Sequence, residues 1–348
     1  MVIDPVELTD VYAAADRLVG ITVRTPLLPF DGRAWLKPES LQPIGAFKLR
    51  GAYNAIAQLT AEQRRAGVVA HSSGNHAQGV ARAARLLGVQ ATLVMPSDAP
   101  AIKRARVEAD GATIVTVGPS SDERLRVAEM LAHERGLALV APYDDPAVIA
   151  GQGAVGLEIV EQVAELDEVL PGSTEPDLAD FEPRPLAILV PIGGGGLASG
   201  VCVAVKALRP DARIFGVEPE LAADARDSLA AGHIVRWDPV QVSRTIADGM
   251  RTASIGRLPF ALLSRHLDGV LTVAEAEIAR AMVRAADEDR LILEPSGATT
   301  LAAWLFHAEE LADRGLREGA RVVIVLSGGN VDPERYATLI ADGRAAGG

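Results

Sequence analysis

The sequence predicts an α/β fold built on mostly parallel sheets with helices on both faces. Apolar runs of strand length alternate with segments in which Ala, Leu, Val and Arg recur at helical spacing, the pattern of strands joined by right-handed helical crossovers. Two glycine-rich segments, 193–196 and 328–329, stand just beyond such apolar runs, where a parallel strand opens onto a ligand.

Val68-Val69-Ala70, residues 91–95 and residues 113–117 read as short buried strands, because apolar and β-branched residues run on between turn signals. Between them, residues 76–88 and 100–110 have helical composition. The pattern resumes after residue 185, with strands near 186–192, 213–218, 269–273 and 321–326 and a helix starting near Leu197. Residues 166–184 are acidic and include four prolines or glycines, which predicts a surface loop. No period of about 20–50 residues repeats, so a solenoid is excluded.

With 348 residues, the chain suffices for one large domain or two modest ones. Hydrophobic residues at 49% and charged residues at 23% describe a globular chain, and a net charge of −12 argues against a nucleic-acid partner. Cys202 is the single cysteine, so no internal disulfide forms and a reducing cytoplasm is the expected home. The N-terminus has neither a basic nor an apolar signal region, and no stretch is expected to supply the roughly 20 apolar residues of a membrane span.

Three segments carry chemistry. Gly45-Ala46-Phe47-Lys48-Leu49-Arg50-Gly51-Ala52 sets a lysine among small and apolar residues. Desolvation there would lower the ammonium pKa and free a lone pair for a carbonyl, although a lysine snorkelling from a half-buried helix fits this segment equally well. Gly193, Gly194, Gly195 and Gly196 join the apolar run 186–192 to the helix near Leu197, a strand–turn–helix cradle for a phosphate. Ser327, with Gly328, Gly329 and Asn330, places a hydroxyl at a strand end. A reactive lysine, a phosphate cup and a polar group for a ring nitrogen are the three handles of pyridoxal phosphate. The glycine segment also fits a relaxed dinucleotide fingerprint, with Glu218 at a ribose-binding position, but that reading leaves Lys48 and Ser327 unused.

Taken in order, these segments together with 36–43, 72–79, 149–153, 247–249 and 294–297 resemble the fold-type II pyridoxal-phosphate enzymes, and within them the threonine/serine dehydratases and serine racemases. The resemblance implies a two-domain, tryptophan synthase β-like architecture with the cofactor in the interdomain cleft. Residues 1–66 and 147–348 would form the large domain, 67–146 a small inserted one, and no C-terminal regulatory domain is expected. It implies that Lys48 carries the cofactor and then removes the substrate Cα proton. Phe47 would pack on the ring, and Asn75 would bond its 3-oxygen. Gly193, Gly194, Gly195, Gly196 and Leu197 would hold the phosphate, and Ser327 would face the ring nitrogen. Ser72, Ser73, Gly74, Asn75 and His76 would receive the substrate carboxylate.

The implied activity is an ammonia-lyase converting L-threonine or L-serine to a 2-oxo acid and ammonia, with serine racemase or a 3-hydroxyaspartate dehydratase/racemase as alternatives. Ser73 matches the second acid of racemases, whereas Tyr143 resembles the aromatic residue of dehydratases. Arg124 aligns near a family arginine that can approach a dicarboxylate, which would make 3-hydroxyaspartate a candidate substrate if it faces the site; a solvated helix arginine is the reading that the segment favours. Ile44 and Ala46 depart from the threonine and serine frequent beside the family lysine. Glu218, the Ala222 carbonyl and Asp224 match a divalent-cation site suited to Mg2+, Mn2+ or Ca2+, although acidic residues at a helix start read the same way. A homodimer or homotetramer is expected.

Overall fold

Parallel strands supply nearly all of the sheet pairing, as the apolar runs require. The computed structural model describes residues 6–72, 74–99, 101–118, 121–169 and 184–347. Ten strands are found among them: β1 (Leu28–Pro29), β2 (Ala34–Pro38), β3 (Val68–His71), β4 (Ala91–Pro96), β5 (Thr113–Val117), β6 (Ala138–Leu139), β7 (Leu186–Pro191), β8 (Arg213–Pro219), β9 (Gly269–Val273) and β10 (Arg321–Leu326). One sheet has the order β1-β2-β10-β7-β8-β9, in which only β1 is antiparallel to its neighbour. The other has the order β5-β4-β3-β6 and is parallel throughout.

Burial explains the unbroken apolar strands. Every residue of β7 and of β10 is buried, because helices cover both faces of a parallel sheet. The parallel registers bring the C-terminal ends of β3, β7, β8 and β10 to loops that carry the sequence motifs. Residues 72–76 follow β3, 193–196 follow β7, Glu220–Ala222 follows β8, and 327–330 follow β10.

Two expectations need correction. Residues 113–117, expected to be a buried strand, form β5 at the edge of its sheet, where no residue of the strand is buried. Residues 166–169 are not loop: they close the helix Pro146–Val169, and only 170–183 lie outside the described residues. The local acidic composition masked the continuation, because Asp167 is buried against Arg321, a partner distant in sequence. The same helix contains a stretch, Pro146–Asp167, that by length and mean composition is long and apolar enough to cross a bilayer, although Gln152, Glu158, Glu161 and Gln162 interrupt its apolar run. Most of that stretch is buried within the protein, so core packing accounts for its apolarity. It crosses the helix Gly196–Leu208 at close range. A Cβ on Gly153 would come within 3.0 Å of the Gly200 carbonyl, and one on Gly156 within 3.0 Å of the Val201 backbone.

Candidate active site

Lys48 opens the helix Lys48–Ala57, and its Nζ donates a 2.7 Å hydrogen bond to the Pro142 carbonyl. Burial pushes the ammonium down to about 8. At pH 7 about one amine in ten is then neutral, against about one in three thousand for an ordinary lysine. The Phe47 ring centroid lies 5.0 Å from that nitrogen, and the Phe47 N–H donates to the Ser327 carbonyl at 3.2 Å. A single bridge between Ala46 and Gly328 continues the contact, so the lysine segment and the loop after β10 meet directly.

The 72–76 loop joins them from the other sheet. Ser72 Oγ accepts from the Gly74 N–H at 3.1 Å, which folds the loop back before the helix Asn75–Leu87 begins. Asn75 donates from Nδ2 to Glu294 and accepts on Oδ1 from Asn330 Nδ2 at 2.9 Å. Asn330 also donates to the Ile44 carbonyl at 2.7 Å. Ser73 lies outside the described residues.

His76 is buried, with Nε2 2.9 Å from the Val140 carbonyl and Nδ1 without a hydrogen-bond partner. Burial, with the nearby Lys48 charge adding to it, lowers the imidazole to about 3, so His76 is neutral at ordinary pH. It braces the 140–142 segment that also receives the Lys48 amine.

The glycine loop closes the site. The helix Gly196–Leu208 starts at its last glycine, and the first N–H groups of a helix have no carbonyl one turn back to bond. A side chain on Gly194 would run into the Tyr143 ring, and a Cβ on Gly196 would stand 3.0 Å from Tyr143 Cα. Gly195 has φ +94°, a conformation that favours glycine. The Gly194 carbonyl accepts from the Gly256 N–H at 3.1 Å, which pins the turn. Leu197 turns its side chain into the core beneath the cradle.

Ser327 is buried, and its Oγ donates weakly to the Ser296 carbonyl at 3.4 Å. Ser296 Oγ in turn accepts from the Gly249 N–H at 2.9 Å. Side-chain-free helix N–H groups, a partly neutral lysine and an oriented Asn75 amide fit pyridoxal phosphate. The dinucleotide alternative fails at Glu218. Its two oxygens accept from the Ala225 N–H at 3.0 Å and the Arg226 N–H at 2.8 Å, so they serve the start of the helix Asp224–Ala231.

That capping is the helix-start reading of the acidic segment, yet the chemistry also suits a cation. Burial and the neighbouring Asp224 raise Glu218 well above its usual range, and burial raises Asp224 to about 7. Asp224 Oδ2 is buried without a hydrogen-bond partner. Two adjacent buried carboxylates with a spare oxygen match a hard divalent ion that takes further ligands from carbonyls and water. Among the described residues no group of three or more His, Cys, Asp or Glu side chains is placed to hold a metal, so any ion here needs the Ala222 carbonyl and solvent.

Sequence reasoning assigned no role to Glu294, Lys103, Asp248 or His71. Glu294 is buried beneath Asn75, and burial raises it to about 7 despite Lys103 nearby. Lys103 pairs with Asp248 at 2.7 Å, joining the helix Ala101–Ala109 to the turn Asp248–Met250. Glu294 and Asp248 sit inside the motifs 294–297 and 247–249, so the signal was present without its partner. His71 ends β3, and its imidazole is lowered to about 4 by burial and then by the Arg124 charge. The Arg124 charge is thus felt at His71, and Arg124 in turn feels the Asp98 carboxylate.

Comparison with known proteins agrees with this geometry. The family model for a pyridoxal-phosphate dependent enzyme matches residues 20–328. An L-threo-3-hydroxyaspartate ammonia-lyase of Saccharomyces cerevisiae is 40% identical over 339 residues, covering 95% of this chain and 95% of that protein. A serine racemase of Schizosaccharomyces pombe is 36% identical over 339 residues, covering 95% of this chain and 96% of that one. The crystal structure of a T.th. threonine deaminase superposes with a TM-score of 0.81 at 42% identity, over 94% of this chain and 99% of that chain.

Proposed function

The chain belongs to the family of pyridoxal-phosphate-dependent enzymes, and on that footing we propose that it is an ammonia-lyase for 3-hydroxy amino acids that prefers L-threo-3-hydroxyaspartate. The preference rests on Arg124, whose charge reaches His71 at the end of β3. In this reading the α-carboxylate of the substrate binds the 72–76 loop, and Arg124, which also feels Asp98, receives the second carboxylate. A charge-assisted hydrogen bond of this kind contributes about 1.5–3 kcal/mol, or roughly a ten- to hundredfold preference. The yeast relative, named for that substrate, supports the same order. This ranks hydroxyaspartate above the L-threonine and L-serine that led the sequence expectation.

In this reading the N–H groups of Gly195, Gly196 and Leu197 bind the cofactor phosphate, Asn75 and Ser327 orient the ring, and Phe47 packs beside it. When bound, pyridoxal phosphate supplies the electron sink for the pair left at Cα. Lys48 takes the Cα proton, and burial keeps enough of its amine neutral to do so. The Cβ–oxygen bond then breaks, and the hydroxyl leaves as water with the proton that Lys48 took from Cα. The released enamine hydrolyses to a 2-oxo acid and ammonia, which for hydroxyaspartate is oxaloacetate. Glu218, the Ala222 carbonyl and Asp224 hold a divalent cation outside the reacting centre.

The test measures 2-oxo acid and ammonia from L-threo-3-hydroxyaspartate, L-threonine and L-serine, with D-serine formation followed in parallel. Lys48→Ala abolishes turnover and the absorbance of the lysine-bound cofactor. Arg124→Ala lowers kcat/KM for hydroxyaspartate by roughly ten- to hundredfold and leaves L-serine within about threefold. Equal losses on every substrate would sink the assignment of Arg124. Wild-type activity on threonine alone would establish the second reading. D-serine formed from L-serine at the rate of pyruvate would make racemisation the main activity.

A further inference from the structure

Behind Lys48, on the opposite side of its helix, four charged side chains meet in the core. Residues two apart on a helix point about 200° apart, so Arg50 leaves the axis almost opposite to Lys48. Arg50 Nε and Nη2 bond the two oxygens of Glu39 at 2.7 and 2.9 Å. Its Nη1 and Nη2 bond the two oxygens of Glu158 at 2.6 and 3.1 Å, and Nη2 also reaches the Val23 carbonyl at 3.0 Å. Lys37 spends all three donors, on Glu158 Oε2 at 2.6 Å, the Thr25 carbonyl at 2.6 Å and Gln162 Oε1 at 2.9 Å. Glu39 accepts further from Thr25 Oγ1 at 2.8 Å. Lys37, Glu39 and Arg50 have no exposed surface, and the Glu158 side chain retains 13%.

The arrangement is hard to account for as a source of stability. Burying four charges costs desolvation that well-packed apolar side chains of similar volume would not incur. What such a quartet supplies is direction, since a guanidinium forked onto two carboxylates tolerates little rotation. The helix Lys48–Ala57 needs that, because its first turn has no side-chain cap. Its backbone is also gripped by neighbours. A Cβ on Gly79 would lie 3.0 Å from the Lys48 carbonyl oxygen, and one on Gly151 would lie 2.6 Å from that of Arg50.

We propose that Lys37, Glu39, Arg50 and Glu158 form a positioning device for Lys48, tying the first turn of its helix to the end of β2 and to the helix Pro146–Val169 so that the amine is held desolvated against the Pro142 carbonyl. The inference rests on the role given to Lys48 above. Arg50 and its partners touch neither substrate nor cofactor; they act through the backbone that carries the lysine.

The experiment compares Arg50→Lys, which keeps the charge and loses the fork, with Ile56→Ala, which opens a cavity in the same helix away from the quartet. Three quantities are read. They are the melting temperature, kcat and KM of the holoenzyme, and the pH midpoint for chemical labelling of the Lys48 amine in the full-length chain stripped of cofactor. Both variants melt earlier. Arg50→Lys also lowers kcat by about tenfold or more with KM nearly unchanged, and moves the labelling midpoint from about 8 toward the ordinary lysine value by roughly half a pH unit or more. Ile56→Ala leaves kcat and the midpoint within about twofold and a few tenths of a pH unit of wild type. If Arg50→Lys changes only the melting temperature, the quartet is purely structural and the proposal falls. Should Arg50→Lys fail to fold, Glu39→Gln, which keeps the shape and removes one charge, carries the same comparison. Borohydride trapping of cofactor on wild-type Lys48 is the independent control. Its absence overturns the role of the lysine, whereas its presence with indifferent variants overturns only the positioning device.

Discussion

Replacing Gly195 by alanine tests the glycine cradle. Two costs fall on that methyl group. The backbone sits at φ +94°, where an L-residue pays about 1–2 kcal/mol. The new Cβ would also stand 2.6 Å from Pro259 Cβ, with Ile255 Cγ1 at 3.2 Å. Carbon atoms rest about 3.5–4.0 Å apart, so the overlap is roughly 1 Å. Pro259 is a rigid ring inside the helix Arg257–His266 and cannot rotate away, so the loop must move. Overpacking of this kind costs about 1–3 kcal/mol. The sum is about 2–5 kcal/mol of lost stability. Gly232→Ala isolates the first cost, because Gly232 has φ +71° and nothing within 4 Å of its Cβ position. Chemical denaturation of the two variants therefore differs by the overlap, about 1–3 kcal/mol. A loop displaced by about 1 Å also misaligns the phosphate donors, so the Kd for pyridoxal phosphate, titrated by absorbance, rises roughly ten- to hundredfold in Gly195→Ala and stays unchanged in Gly232→Ala. Equal destabilisation by the two variants, with cofactor affinity intact, would refute the reasoning.

Two further outcomes are expected. His76 has a folded pKa of about 3, below the ordinary value of 6.5, so the unfolded chain binds the extra proton first. Its contribution to stability is complete above pH 6.5 and is lost as the pH falls toward 3, amounting to about 2 kcal/mol by pH 5. Urea denaturation between pH 7 and 5 should show that loss, and His76→Gln should flatten the slope; an unchanged slope would show that the imidazole is not held neutral. Mg2+ at a hundredfold excess over its Kd should stabilise the protein by about 2.7 kcal/mol, EDTA should remove the gain, and Asp224→Asn should abolish it. An unresponsive melting temperature would leave Glu218 and Asp224 as helix caps alone.

Legibility varied with the length scale of the signal. Strands β3, β4, β5, β7, β8, β9 and β10 were located to within a residue, because apolar and β-branched residues cluster there between turn signals, although β5 at its sheet edge has no buried residue. Strands β1 and β6, at two residues each, carry no periodicity to read. Strand β2 was noticed only as part of a motif, since its buried Lys37 interrupts the apolar signal. The acidic end of the helix Pro146–Val169 was misread as loop for the reason given above.

The site divided in the same manner. Lys48, the four glycines and Ser327 were legible one at a time, because each is a local solution to a local problem: a lysine among apolar neighbours, a turn without side chains, a hydroxyl at a strand end. Which groups they face was not legible. The Pro142 carbonyl under the Lys48 amine, Glu294 beneath Asn75, the Arg124 charge felt at His71 and the charges gathered around Arg50 all join residues distant in sequence. Local residue chemistry and hydrophobic periodicity are written along the chain, so the α/β class and the candidate reactive groups could be inferred from it alone. Desolvation, charge pairing and hydrogen-bond direction depend on what is within a few ångströms in space, and only the tertiary structure brought those neighbours together.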